Sequence, residues 1–201
     1  MTNLNYDTTK PRCDWANKGD ELYTKYHDQE WGVPIFDDHK IFEFLVLESA
    51  QAGLSWITIL RRRENYRQAF ANFDAKKVAE FDEKKVAQLL TNSGIIRNRK
   101  KIIAAINNAQ KFLEIQKEFG SFSEYIWKFT NKKSVTNNWQ NLKDVPAKTE
   151  ISEKIYKDLK TRGFQFLGPT ICYAYMQATG MVNDHLTTCF RHSEIATQKN
   201  Y

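Results

Sequence analysis

Residues 37–56 read DDHKIFEFLVLESAQAGLSW and carry the clearest structural signal in the chain. Apolar side chains recur there at three- and four-residue steps, as in Ile41, Phe42 and Leu45, which is the spacing of an amphipathic helix. Either aspartate at the start suits the N-cap, because its side chain can accept a hydrogen bond from a backbone N–H. We therefore predict a helix over residues 39–52, ended by the glycine that follows.

The same helical period continues through most of the chain. Ser55 is expected to cap a longer helix that reaches Phe70, and Ser121 or Ser123 to cap a short one. Strand-like alternation is nearly absent, so the predicted fold class is all-α. The remaining predicted segments are helical turns at 73–79 and 81–87, a helix–turn–helix at 86–106 that continues to 119, a short helix at 122–129, a polar loop at 130–148, and helices at 151–161 and 169–179.

Composition excludes several classes of protein. The chain has 201 residues, with Lys+Arg 30 against Asp+Glu 24, a basic excess that is compatible with a polyanionic partner. No apolar run approaches the roughly 18–20 residues of a membrane span, and the start, MTNLNYD, has no secretory pattern. Three cysteines are too few for a disulfide scaffold. We expect a cytoplasmic protein that does not enter membranes.

Two cysteines and two histidines could form a metal site. His185 and Cys189 are four residues apart, which places both on one helical face or around one tight turn. Cys13 and His27 would complete the four-ligand set of a structural Zn²⁺ ion and join the two ends of the chain. The alternative is that each is an ordinary buried cysteine or capping histidine.

A second group of residues combines aromatic rings with one acid. Glu48 lies at the border of the apolar helix stripe, where a carboxylate must be paired or functional if it is buried. It could equally face solvent or pair with an N-cap, and the rings could simply be core. The aromatic residues, which could stack on a flat base, are Trp15, Tyr23, Tyr26, Trp31 and Trp56.

The predicted turn at residues 93–96 could meet a phosphate backbone. Gly94 allows a tight turn before Ile95, so backbone N–H groups and the next helix start could contact a phosphate. Arg97, Arg99 and Lys100 add positive charge just beyond. This helix-hairpin-helix signature is loose and occurs often by chance.

Several segments together resemble the family of 3-methyladenine DNA glycosylase I, the bacterial Tag family. The two signature segments are YHDQEWGVP at 26–34 and QAGLSW at 51–56. Shorter matches keep the family's order and spacing from about residue 11 to 189, and they are RCDW at 12–15, GIIR at 94–97, RGFQF at 162–166 and VNDH at 182–185. One departure is Ser49-Ala50, where related sequences often carry a glycine.

The resemblance implies a helix-hairpin-helix glycosylase fold with a zinc clasp joining the N- and C-terminal segments at the four cysteine and histidine positions. It implies a single glycosylase domain at 11–189, with two helical lobes and the hairpin near 86–106, between an N-terminal extension at 1–10 and a C-terminal tail at 190–201. The family lacks the superfamily's catalytic aspartate, and residues 108–143 contain no Asp.

The resemblance also implies a base pocket. Glu48, Tyr26 and Trp56 would contact the base as catalytic and stacking groups, with Tyr23, Trp15 and Trp31 around them. We further expect the Gly53-Leu54 corner to wedge toward the gap that a flipped nucleotide leaves in the duplex.

The implied activity is hydrolysis of the N-glycosidic bond of 3-methyladenine in alkylated double-stranded DNA by a monomer without lyase activity, with the free base as product. A methylated base carries a positive charge, so its bond is weakened and no general acid is needed. Two alternatives stay open from the residues alone. One is a non-catalytic DNA-binding module, and the other is a zinc hydrolase whose metal activates water.

Overall fold

The computed structural model describes residues 7–16 and 19–197, and this part of the chain is mostly helical, as predicted. None of its helices has the length and apolar character needed to cross a membrane. The two short strands, β1 (Val135–Thr136) and β2 (Val182–Asn183), pair in parallel. The α-helices are α1 (Glu21–Gln29), α2 (Asp38–Gln51), α3 (Trp56–Leu60), α4 (Arg63–Ala69), α5 (Ala75–Ala79), α6 (Glu83–Thr91), α7 (Arg99–Phe119), α8 (Phe122–Trp127), α9 (Glu150–Thr161), α10 (Pro169–Ala178) and α11 (Phe190–Ala196).

Helix α2 forms the centre of the molecule and packs against α7, α8 and α10. Asp37 is its N-cap and accepts a hydrogen bond from the backbone N–H of Lys40. Asp38 instead accepts from the backbone N–H groups of Phe122 and Ser123, at 2.8 and 2.7 Å, and so anchors the start of α8. All residues of α2 from Ile41 to Ala50 are buried. Because the helix is covered all round, its acidic side chains are buried with its apolar ones.

The predicted long helix from Ser55 to Phe70 is wrong, because the chain breaks between α3 and α4. Arg62 has φ −100° and ψ 0° there. The break lets Arg63 turn inward, where it donates to Glu43 at 2.6 Å and to Glu30 at 2.9 Å. Glu43 is fully buried, so it needs a cationic partner. This buried ion pair favours the break over a continuous helix.

Two helices near the chain ends carry no clear sequence signal. Helix α1 begins after Asp20, which caps it by accepting from the N–H of Tyr23, but its side chains alternate irregularly between aromatic and polar. Helix α11 lies within the segment 190–201 that we designated a tail. A small apolar cluster of Cys13, Leu186 and Cys189 joins the two end regions, apart from the main core.

Candidate functional site

A cavity of about 280 Å³ opens between the N-terminal segment, α2, α10 and the 142–145 loop. All six residues predicted from the sequence to form a base pocket contribute to its wall. The lining residues are Cys13, Trp15, Tyr23, Tyr26, Trp31, Glu48, Gln51, Trp56, Leu142, Val145, Ala174, Gln177, Asp184 and Leu186.

Glu48 is the acid of this cavity. It lies in the last turn of α2 and is only 4% exposed. Burial raises the pKa of its carboxyl group to about 8. Its Oε2 atom has no hydrogen-bond partner among the described residues, and a buried oxygen of this kind is costly unless a ligand or water satisfies it. The structure therefore rejects the solvent-facing alternative for this residue.

Trp56 supplies a donor to the same cavity. It begins α3, and its indole Nε1 is buried with no acceptor among the described residues. The centroid of the Tyr26 ring lies 5.3 Å from that of the Trp56 ring. The Phe44 ring also stacks on Trp56, with centroids 6.4 Å apart and an interplanar angle of 21°. The cavity thus holds one unsatisfied acceptor and one unsatisfied donor beside fixed aromatic faces. A flat ligand with polar groups on its edge would satisfy both.

The other predicted aromatic residues surround Trp15. Its ring centroid lies 4.8 Å from that of Tyr23, 5.1 Å from Trp31 and 6.5 Å from Tyr26. Burial and the nearby Glu48 raise the pKa of Tyr26 well above its ordinary value, so its hydroxyl stays neutral. Electron-rich ring faces of this kind favour a cationic ligand.

Sequence reasoning did not assign Asp184 and the two glutamines of the cavity wall. Asp184 accepts hydrogen bonds from Tyr173 and Gln177 at 2.5 and 2.8 Å. The side chains of Asn137 and Trp139 add two more, at 2.7 and 2.8 Å. Its two oxygens are therefore occupied, so it is not placed to act as a base. Gln51 lies three residues after Glu48 on α2, so helical spacing alone could have placed the two side chains on the same face.

The four predicted metal ligands are buried together, and their ligand atoms all lie within 4.8 Å of one another. Sγ of Cys189 lies 3.5 Å from Nε2 of His27 and 3.5 Å from Nδ1 of His185, and Sγ of Cys13 lies 3.6 Å from the latter atom. A tetrahedral zinc with ordinary Zn–S and Zn–N bonds requires S···N separations of about 3.6 Å. The cluster therefore fits Zn²⁺, and its geometry selects one nitrogen of each histidine.

Hydrogen bonds fix the other nitrogen of each ring. Nδ1 of His27 lies 2.8 Å from Oδ1 of Asp28, whose two oxygens also accept from Arg12. Although burial acts to raise it, hydrogen bonds from Arg12 and His27 hold the pKa of Asp28 below its ordinary value. Nε2 of His185 lies 3.0 Å from the carbonyl oxygen of Trp31. Such outer partners orient metal-binding histidines, and this last one ties the cluster to the aromatic wall.

A turn connects α6 and α7, but two of its backbone N–H groups already have acceptors within the protein. The N–H of Gly94 donates to Asn92 Oδ1 at 2.8 Å, and that of Ile96 donates to Tyr66 at 3.1 Å. Ile95 is buried in the core, so its side chain does not face a ligand. The hairpin N–H groups expected to meet a phosphate are therefore bonded within the protein.

The basic residues after the turn are exposed. Arg97 and Lys100 face solvent, while Arg99 pairs with Glu83 at 2.9 Å. The start of α7, rather than the turn itself, presents the positive charge.

The Gly53-Leu54 corner protrudes at the end of α2. Gly53 has φ +78°, a conformation that glycine adopts without strain, and Leu54 is 40% exposed. Nζ of Lys101 donates to the carbonyl oxygens of Ala50 and Ala52, each at 2.7 Å. A cation from α7 thus caps the helix that carries Glu48 and fixes the corner that follows it.

Comparison with known proteins agrees with this arrangement. The profile of the family described as "Methyladenine glycosylase" matches residues 15–192. The DNA-3-methyladenine glycosylase of Haemophilus influenzae is 48% identical over 178 residues, which span 89% of this chain and 96% of that protein.

Solved structures agree as well. A crystal structure of 3-methyladenine DNA glycosylase I superposes with a TM-score of 0.87 at 48% identity, covering 90% of this chain and 98% of that one. A tyrosine variant of such an enzyme, solved in complex with 3-methyladenine, gives a TM-score of 0.87 at 35% identity, covering 94% and 99%.

The chain is therefore an enzyme of the glycosylase class, which hydrolyses N-glycosyl bonds. It belongs to the methyladenine glycosylase family, that of 3-methyladenine DNA glycosylase I.

Proposed function

We propose that this chain releases 3-methyladenine from alkylated double-stranded DNA by flipping the damaged nucleotide into the cavity and hydrolysing its N-glycosidic bond, without a lyase step. The observation that carries the proposal is the unpaired Glu48 carboxyl group buried beside the Trp56 and Tyr26 rings. Family membership supports the substrate, and a similar enzyme has been solved with 3-methyladenine bound.

Glu48 would recognise the positively charged base. A cationic ring in the cavity favours the ionised carboxylate, because opposite charges attract strongly where water is excluded. The unpaired Oε2 atom would accept a hydrogen bond from the exocyclic amine or the ring edge of the adenine. Cleavage then leaves a neutral base, so the bond breaks without a general acid. Selectivity follows, since undamaged adenine carries no positive charge to favour the ionised carboxylate, and the ionised Glu48 has no proton to give to a neutral leaving base.

The aromatic residues would hold and orient the flipped base. Trp56 would stack on it or on its edge, with its unpaired Nε1 available to donate to a ring acceptor. Tyr26 would bond another edge, while Trp15, Tyr23 and Trp31 would close the cage around the ring.

We propose that Cys13, His27, His185 and Cys189 hold a structural Zn²⁺ ion. The support is the three sulfur–nitrogen separations of 3.5–3.6 Å and the hydrogen-bonded outer nitrogens of both histidines. When bound, the metal would clasp the two ends of the chain. Four protein ligands leave no open coordination position, which argues against the zinc hydrolase alternative.

On the DNA side, we propose a helix-hairpin-helix contact at α6 and α7, with phosphates at the start of α7 near Arg97, Arg99 and Lys100. The Gly53-Leu54 corner would enter the gap left by the flipped nucleotide. We also propose that the protein acts as a monomer in the cytoplasm, on double-stranded DNA and without a membrane partner.

The deciding experiment is incubation of the purified protein with methylated duplex DNA, followed by chromatography of the released bases. Release of 3-methyladenine is expected, with Glu48→Gln much slower. Absence of any released base would leave only the non-catalytic DNA-binding alternative. Borohydride trapping should give no protein–DNA adduct, because a lyase would pass through a covalent lysine intermediate.

Truncating the stacking ring gives a separate test. Trp56→Ala should weaken binding of free 3-methyladenine by about 1–3 kcal/mol, the value of one base–aromatic stack. Titration calorimetry measures this, with Tyr156→Ala as the matched control, because that half-buried ring on α9 lies outside the cavity lining. Unchanged affinity in Trp56→Ala would refute the stacking role.

A further inference from the structure

Phe166 is a large apolar side chain held in an uncommon backbone conformation. It is 36% exposed and has φ +56°, a region that residues other than glycine rarely adopt. Such a conformation is unfavourable and persists only where the surrounding structure imposes it. Neither the cavity nor the metal cluster uses this residue.

The loop that carries Phe166 is clamped by α7. Asn108 is 2% exposed, and its side chain bonds both backbone groups of Gln165, donating to the carbonyl at 2.9 Å and accepting from the N–H at 2.8 Å. The neighbouring Asn107 donates to the carbonyl of Gly163 at 2.8 Å. These bonds fix the backbone on the N-terminal side of Phe166 and hold its ring at the surface.

The ring lies near the Gly53-Leu54 corner. Nζ of Lys101 is 5.8 Å from the centroid of the Phe166 ring and 2.7 Å from the carbonyl oxygen of Ala52. One ammonium group therefore bridges the loop of Phe166 and the residue just before the corner. Leu54, two residues after Ala52, and Phe166 are both exposed apolar side chains, and the contacts of Lys101 bring their two segments to one region of the surface.

We propose, resting on the proposed function, that Phe166 is a second apolar contact to the duplex beside Leu54, stacking on a base that flanks the position vacated by the flipped nucleotide. A duplex with one nucleotide removed from its stack exposes base faces to water, and an aromatic ring covers such a face without regard to sequence.

The surrounding charge favours nucleic acid as the occupant of this surface. Lys101 belongs to the first turn of α7, which also presents the exposed Lys100, and the exposed Arg97 lies just before this helix. Phosphates on either side of the lesion would meet these cations while the bases meet the apolar pair. An apolar partner protein would gain nothing from the same positive charges.

The test compares Phe166→Ala and Phe166→Gly with the wild-type protein, using a duplex that carries a stable abasic-site analogue. Glycine accepts a positive φ without strain, so the second variant separates the loss of the ring from any backbone effect. Leu113→Ala is the matched control, because it truncates a half-buried apolar side chain on α7. Leu113 lies about 18 Å along the helix from Lys101.

We expect both Phe166 variants to bind the duplex about tenfold more weakly, which corresponds to about 1.4 kcal/mol. Affinity for free 3-methyladenine should stay within twofold, and Leu113→Ala should match the wild type in both assays. The salt dependence of duplex binding should keep its slope, because no phosphate contact is removed. A fluorescent base placed beside the abasic site should be quenched by the wild type and not by either variant.

Duplex affinity within twofold of the wild type in both variants would overturn the proposal, as would an equal loss of affinity for the free base. This failure is distinct from failure of the proposed function. If the wild type releases 3-methyladenine while the Phe166 variants bind the duplex normally, only the present inference is wrong.

Discussion

Burial raises the pKa of Glu48 to about 8, and this one shift links recognition to stability. Between its ordinary value near 4.5 and about 8, the folded protein holds a proton that the unfolded chain has lost. Folding stability therefore falls as pH rises through this window. A buried acid that lowers folding stability in this way is typical of a functional site rather than of a residue that stabilises the fold.

We expect kcat/KM for release of 3-methyladenine to rise with pH up to about 8, because kcat/KM reports ionisation of the free enzyme and the carboxylate is the form that attracts a cationic base. In Glu48→Gln the rate should be low and should lack this rise. The measurement is a pH profile at constant ionic strength. An identical profile in the variant would show that another group titrates.

The same variant should be more stable than the wild type at pH 7, by roughly 3 kcal/mol, since the amide never ionises. Urea unfolding at pH 5 and pH 8 checks this, and the gain should shrink at the lower pH. A gain that is equal at both values would mean that burial of the charge is not the cause.

At the scale of single elements, α2 depends on a cation from another helix. At its C-terminal end the carbonyl groups of Ala50 and Ala52 are bonded by Lys101, while that of Gln51 accepts from the backbone N–H of Leu54. Burial lowers the pKa of this lysine, yet its charge complements the negative end of the helix dipole. The sequence around Gly53 predicted where α2 ends but not which residue satisfies that end.

Lys101→Met should reduce stability by about 1 kcal/mol, because it leaves helix-end carbonyls without a charged donor. Urea unfolding measures the effect. Lys117→Met is the control, since it removes a charge from an exposed position of the same helix. Equal stability of the two variants would show that the Lys101 contacts contribute nothing.

At the scale of the whole molecule, the cysteine–histidine cluster joins residues that are far apart in the chain. Cys13 and His27 precede the main core, whereas His185 and Cys189 follow it. Closing so long a loop restricts the unfolded chain strongly. The carbonyl of Trp31 connects the cluster to the cavity wall, so the clasp would also hold the aromatic cage.

Purified protein should contain about one zinc per chain, and Cys189→Ala should lose both the metal and about 2–5 kcal/mol of stability, the range for removing a native cross-link. Atomic spectroscopy and urea unfolding measure the two effects. Cys172→Ala, a buried thiol outside the cluster, should keep its zinc. Full metal content in Cys189→Ala would contradict the assignment, and an intact fold that loses activity alone would favour a catalytic metal.

The sequence by itself predicted most helices, because period and caps are local properties of the chain, and its resemblance to a known family predicted the members of the pocket and the four residues of the cysteine–histidine cluster. Tertiary structure decided the rest. Whether Glu48 is buried depends on what covers α2 on all sides, and the break before Arg63 depends on a buried acid twenty residues earlier. The loop around Phe166 is likewise held by Asn108, a residue far from it in the chain. These features arise from desolvation and long-range pairing, which no local pattern records.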